Sequence, residues 1–421
     1  MRLITGMLTT ALVCGCGQAD DTTTAKPSAP TAAAVPGDTG EVSAALRVGR
    51  RPPRLSARVR KALAAGAGRL SDLQADRIGD NAHNGLDDDD PDDGGWDFTL
   101  AATVTEHTTT ASSTNTYGAT ALGPWAAVRA GADTQRYRTT LLGAGLGSQE
   151  ITDIDSPNDF VFLPLLGELQ GDTAYAELAR ARYDAKLTSF GGAAALAGKD
   201  RDARHASAFD GLILYDLAWY TLGAAALDAA FPGSGYDADT AAFAAVAVAA
   251  ISGSAPLFDI NDANEQFYVQ GLAWSLVVLD HATAPANLTT TIRGKLRDLQ
   301  GSDGAWGFNA TTPTDDLQST AHAVQALALT AGDTRRGRNE ATQGARFILS
   351  KQAANGGWEY TPGKESTLVD AESMLALYLS QAASPEDALD PGPTSDIGTT
   401  SQALVVHATV PVAAPLAAPA D

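Results

Sequence analysis

Apolar positions recur at helical spacing through most of the chain. In the stretch around 316–331, Leu317, Ala321, Val324 and Ala328 follow one another at steps of 4, 3 and 4, the period of one helix face. The opposite face carries Gln318, His322 and Gln325, polar and without formal charge. A helix with both faces of this kind suits a packed ring around a wet centre. The same reading, carried along the chain, predicts helices in pairs. One member of each pair falls at 55–75, 133–146, 173–188, 237–251, 288–300 and 339–352. The other falls at 114–130, 157–170, 206–228, 263–281, 316–331 and 366–381.

Two of these pairs are copies of one unit. The first reads Lys295 to Gln300, then Gly304, Trp306 and Phe308, then Gln318 to Leu329. The second reads Ala345 to Gln352, then Gly356, Trp358 and Tyr360, then Val369 to Leu379. Gln to Trp is six residues in both, and the two tryptophans are 52 apart. A fixed period of this size signals stacked supersecondary units. Gly95-Trp96-Asp97-Phe98 repeats the turn near the start, and the intervening pairs lack the Trp.

Helix, Gln, Gly-x-Trp and a second helix resemble the Gln–Trp repeat of squalene-hopene cyclases and protein prenyltransferase β subunits. The resemblance is specific over 294–381 and looser upstream. It implies an all-α fold, an (α/α)6 toroid of about six hairpins, with inner helices around a central cavity and outer helices around them. It does not fix the chemistry, because one fold hosts many functions.

The ends of the chain differ from its middle. Arg2, an apolar run to Val13 and then Cys14-Gly15-Cys16 predict an export signal. The small residue before Cys16 resembles a bacterial lipobox. This gives a lipoprotein signal over 1–15, lipid on Cys16, and a cell-envelope location facing the periplasm or the surface. Residues 16–53, rich in Ala, Thr, Pro and Ser, are expected to form a disordered tether. The toroid takes 54–382, and the Pro-rich segment 383–421 is expected to be a mostly disordered tail with a short strand near 402–411.

Formal charge is −21, from 29 basic and 50 acidic residues. That argues against nucleic acid as a partner, so the membrane is met through the lipid. Both cysteines lie before residue 17. No zinc is therefore expected, and the Asp, Cys and His zinc set of the prenyltransferases cannot form. An acidic loop, Asp80 to Asp93, is the candidate metal site. Asp80, Asn84, Asp87, Asp88, Asp90 and Asp92 supply clustered oxygens beside Gly85, the requirement of calcium. Ala82 and Pro91 stand where an EF-hand loop has ligands, so a solvated acidic connector is the alternative. The same run matches the magnesium motif of terpene synthases and the proton-donor motif of hopene cyclases. Any acidic run matches the first by chance, and the second precedes the first turn Trp rather than standing in a late repeat.

Acids and amides cluster in the turns before the second helix of each pair, where helix N-termini favour them. Candidate catalytic groups are His322 with Asp315 and Asp316, together with His205 and Asp370. Candidate ligand-binding groups are Arg201 and Arg204, read as a cationic spot on a turn, and Gln318 and Gln325. Three functions follow. One is a ring that binds a small-molecule, glycan or protein ligand in a polar lumen, without chemistry. The second is a glycan-active enzyme of uronate lyase or glycosidase type. The third is a terpenoid cyclase, disfavoured by 6% aromatic content, since cyclase cavities are aromatic-lined.

Overall fold

The computed structural model describes residues 55–74, 94–105, 115–132, 134–150, 156–206, 210–254, 256–282, 286–311, 315–330 and 335–382. In chain order the elements are α1 (Ala57–Leu73), β1 (Trp96–Asp97), β2 (Thr99–Ala101), β3 (Asn115–Thr116), α2 (Gly118–Arg129), α3 (Gln135–Glu150), α4 (Asp159–Gln170), α5 (Ala174–Phe190), α6 (Ala193–Ala206), α7 (Asp210–Ala230), α8 (Tyr236–Ser252), α9 (Tyr268–Asp280), α10 (Ala286–Leu299), α11 (Leu317–Thr330), α12 (Arg335–Lys351), β4 (Glu359–Thr361), β5 (Lys364–Ser366) and α13 (Thr367–Ala382).

Helices α2, α4, α7, α9, α11 and α13 form a closed inner ring. Each packs on the next, and α13 packs back on α2. Their sequences explain the placement. In α9 every residue from Tyr268 to Leu279 is buried, and in α4 every residue from Asp159 to Gly167. A helix apolar all round must be covered on all sides. The outer helices carry one apolar stripe each. In α12 the buried stripe includes Ala341, Ala345 and Ile348, while Gln343, Arg346 and Ser350 face outward. The chain is thus an (α/α)6 toroid, as the pattern of segments predicts.

One element departs from the expectation. Residues 193–206, read as a turn, form α6, which packs outside the ring against α7 and α8. Its Ala-rich start favours helix. Arg201 and Arg204 therefore stand on a helix rather than on a turn.

Three clasps hold the outer ring. Trp306 Nε1 donates to the Leu296 carbonyl at 2.7 Å, Trp358 Nε1 to Ile348 at 2.9 Å and Trp96 Nε1 to Leu70 at 2.7 Å. All three indoles are fully buried. The glutamines work in parallel. Gln300 Nε2 donates to the Gly304 and Glu340 carbonyls, both at 3.0 Å. Gln352 Nε2 donates to Gly356 at 2.8 Å and to Ala62 at 2.9 Å. Gln74 Nε2 donates to Gly94 at 2.8 Å and to Thr140 at 2.9 Å. Each glutamine thus ties its own turn to the next outer helix. Gly94, Gly304 and Gly356 all have positive φ, 75°, 93° and 98°, which glycine alone adopts without strain.

Gln74 reveals a third copy of the motif that its spacing hides. It lies 22 residues before Trp96, against six in the other copies. The acidic stretch is an insertion into this clasp, between Gln74 and Gly94.

The last clasp closes the ring on α1. Arg69 makes a bidentate pair with Glu365, both contacts at 2.8 Å and both side chains buried. Strand β2 pairs antiparallel with β5, Thr99 opposite Ser366, and so joins the first unit's connection to the last. Among the described residues no helix is long and apolar enough to cross a membrane.

Candidate functional site

The inner helices begin at one end of the ring. At that end Gly118, first in α2, donates its N–H to the Asp159 carboxylate, first in α4, at 2.8 Å. Gln270, near the start of α9, reaches Ser319 near the start of α11 at 3.4 Å. One to two turns below this rim lies a polar and aromatic group on the axis. Its centre is His322 of α11, which is buried.

The His322 ring meets Tyr215 of α7 at 5.6 Å and Trp274 of α9 at 5.1 Å, centroid to centroid. Helices α7 and α11 are separated by α9 in the ring, so Tyr215 and His322 meet on the inner side of α9. Tyr215 and Trp274 meet at 5.2 Å, and Trp219 stands 5.5 Å from Trp274. From α13, Glu372 brings Oε1 to 2.8 Å from His322 Nε2. That approach is out of line for a hydrogen bond, and His322 Nδ1 and Nε2 and Glu372 Oε1 all lack one. The Trp219 and Trp274 indole N–H groups and the Ser373 hydroxyl lack partners too. The other oxygen of Glu372 accepts from Gln318 Nε2 at 3.0 Å, and its backbone carbonyl accepts from Gln325 Nε2 at 2.8 Å. Tyr215 and Gln318 are half-buried and form the solvent edge of the group.

A second carboxyl stands at the same rim. Burial raises the Asp159 carboxyl from its ordinary 3.8 to about 7, against the pull of the Gly118 N–H. Next to it, Asn158 Oδ1 accepts from the Tyr215 hydroxyl at 3.4 Å. Asn158 and Tyr215 thus connect Asp159 to the His322 group.

The sequence-predicted residues divide. His322, Gln318 and Gln325 come together at the axis. Asp315 and Asp316 do not join His322. Asp315 is exposed and bridges to Gly307 in the turn. Asp316 caps α11, its Oδ1 accepting from the Ser319 N–H at 2.6 Å. Helix N-termini draw short acids to their free N–H groups, and here that demand takes Asp316. The carboxylate facing His322 comes instead from the next repeat, as Glu372.

Asp370 is buried beneath the last clasp. Its Oδ1 accepts from the Trp358 N–H at 2.6 Å, the place Thr320 takes beneath Trp306. Burial first, and then the neighbouring Glu365, raise its carboxyl well above the usual range. Its position is that of a clasp residue. Arg201 pairs on the surface with Asp202 at 2.8 Å. Arg204 and His205 stand on α6, and their side chains lie outside the described set. Asp80, Asn84, Asp87, Asp88, Asp90, Asp92 and Cys16 also lie outside the described residues.

Sequence reasoning missed Glu372, Tyr215, Trp219 and Trp274. The signal for Glu372 was its place in the second copy, two residues after Asp370 on the same helix. The aromatics carried none, since a tryptophan on an apolar helix reads as core.

No family model and no curated protein matches this chain. Solved structures with a similar chain path include an unsaturated glucuronyl hydrolase specific for heparin. It has a TM-score of 0.49 and 11% identity, over 76% of this chain and 95% of that one. The type II terpene cyclase MstE from Scytonema, in complex with its product merosterolic acid A, has a TM-score of 0.40 and 14% identity. That match covers 77% of this chain and 98% of that one. The toroid described above stands on its own helix packing.

Proposed function

We propose that the chain is a ligand-binding ring protein whose site is the mouth of its axis, over His322, Glu372, Tyr215, Trp219 and Trp274. The observation that carries this reading is the concentration of unpartnered polar atoms there. Buried polar groups are paired in the great majority of cases. Each one left unpaired costs about 1–3 kcal/mol. A ring serving only as a scaffold gains nothing from gathering an imidazole, a carboxylate and two indole N–H groups at one level of its core. A ligand that meets them offsets that cost, and the half-buried Tyr215 and Gln318 give it an approach.

Glycan cleavage is the second reading. The placement of His322 beside Glu372, 2.8 Å apart, favours it, since an imidazole and a carboxylate are the two group types acid–base work calls on.

A thermal-shift panel of saccharides, sugar acids, amino acids and amines tests both, run on the unmodified chain and on Glu372→Gln. The expected outcome is that one chemical class raises the melting temperature of the unmodified chain and has little effect on the variant. A panel without such a class would overturn the binding reading. Release of new reducing ends from a glycan would move the conclusion to the second.

A further inference from the structure

The basic residues of the toroid stand almost entirely in its outer helices, while acids occur in both layers. The six inner helices carry eight acidic residues: Asp159 and Glu168 in α4, Asp210, Asp216 and Asp228 in α7, Asp280 in α9, and Asp370 and Glu372 in α13. Burial pushes two of them, Asp159 and Asp370, toward the neutral form. Against these acids the inner helices hold one strong cation, Arg129, which is the last residue of α2 and so sits at the far end from the mouth. The outer helices hold the basic residues, among them Arg58, Arg60, Lys61 and Arg69 of α1 and Arg293, Lys295 and Arg297 of α10. A low-dielectric wall lined by one sign of charge focuses the potential toward its centre. At this centre stand three aromatic rings, whose faces attract cations, and a buried carboxylate oxygen without a hydrogen bond.

From this arrangement we infer that the axial site takes an organic ammonium ion, the inference resting on the ligand-binding reading above. The cationic head is met by the Glu372 carboxylate, whose Oε1 also stands 2.8 Å from His322 Nε2, and by the electron-rich faces of Tyr215, Trp219 and Trp274. Gln318 holds the other oxygen of Glu372, which fixes the carboxylate for its task. Sugar acids and other anions are disfavoured, because no described Lys or Arg of the inner ring stands at the mouth to balance them.

Calorimetric titration of the full chain tests the assignment. The probes are choline, putrescine, the uncharged analogue of choline with a tert-butyl group in place of the trimethylammonium head, glucose and glucuronate. The expected result is that an ammonium probe binds and quenches tryptophan fluorescence. The tert-butyl analogue should bind about tenfold or more weakly, the difference that a desolvated cation over aromatic faces makes. Glu372→Gln should weaken the ammonium probe by a similar factor, with a melting curve confirming that the variant is folded. The comparison of choline with its uncharged analogue needs no variant. Equal affinity for the two, or binding of glucose or glucuronate alone, would overturn the ligand class and leave the binding reading standing. Failure of both ammonium probes would also overturn the class, and the binding reading would then be decided by the wider panel.

Discussion

Asp159 shows how one residue at the mouth couples the ring to its solution. The folded protein holds its proton up to about pH 7, whereas the carboxyl ordinarily releases it near 3.8. Between those values the folded state binds more protons than the unfolded chain, so stability falls as pH rises through the interval. Asp159→Asn keeps an oxygen for the Gly118 N–H and removes the titration. The variant should match the parent near pH 4 and exceed it by roughly 2–4 kcal/mol at pH 8, a range set by the size of the shift. Denaturant melts at the two values check this. A difference that stays constant with pH would show that burial of this carboxyl is not what sets the slope. In the sequence Asp159 was one of several rim acids, and helix N-termini sufficed to account for most of them. Only its burial between α2 and α4 separates it from Asp316, which does cap. His322 was legible because it interrupts an amide stripe. Its partner was not, since Glu372 lies 50 residues away and the ring brings the two together.

At the level of elements, the clasp was the most legible feature of the chain. Its residues recur because its geometry recurs. At Gly304 an added Cβ would stand 2.5 Å from the Gln343 carbonyl oxygen of α12, and at Gly356 2.5 Å from the Ala65 carbonyl oxygen of α1. Neither backbone can yield without moving its helix, and positive φ adds strain to any side chain placed there. Gly304→Ala should therefore destabilise the fold by about 2 kcal/mol or more. Trp306→Ala, which empties a fully buried site, should cost about 3–5 kcal/mol. Equilibrium unfolding of both variants is the measurement, and two unchanged midpoints would remove the clasp from the set of interactions that hold the ring. The first copy was legible only in part. Its glycines and Trp96 are plain, but the insertion moved Gln74 out of register, and spatial closure alone identifies it. Helix α6 escaped for another reason. It lies outside the repeat, so the two-helix unit gave no place for it.

For the whole molecule, closure is the property that no stretch of sequence announces. The face of α1 that meets the last repeat is spaced as a helix face must be. Ala62 accepts from Gln352, Gly66 lies under Met374 and Trp358, and Arg69 pairs with Glu365. Residues 62, 66 and 69 thus read the end of the chain from its beginning. Read alone, Arg69 is one more basic residue on an outer helix, and its role appears only when the sixth hairpin returns to the first. Its pair is buried and hydrogen-bonded through both nitrogens, with Asn355 Nδ2 adding a third contact to Glu365 at 3.1 Å. Breaking such a pair from one side leaves an uncompensated charge and costs about 3–5 kcal/mol, while removing both charges costs less. Arg69→Met should accordingly lose more stability than the double variant Arg69→Met, Glu365→Gln. The comparison belongs in a double-mutant cycle read by denaturant unfolding. Additive losses would mean that the pair is not coupled. The ring would then be closed by the Gln352 and Trp358 clasp and the β2–β5 ladder, without help from charge.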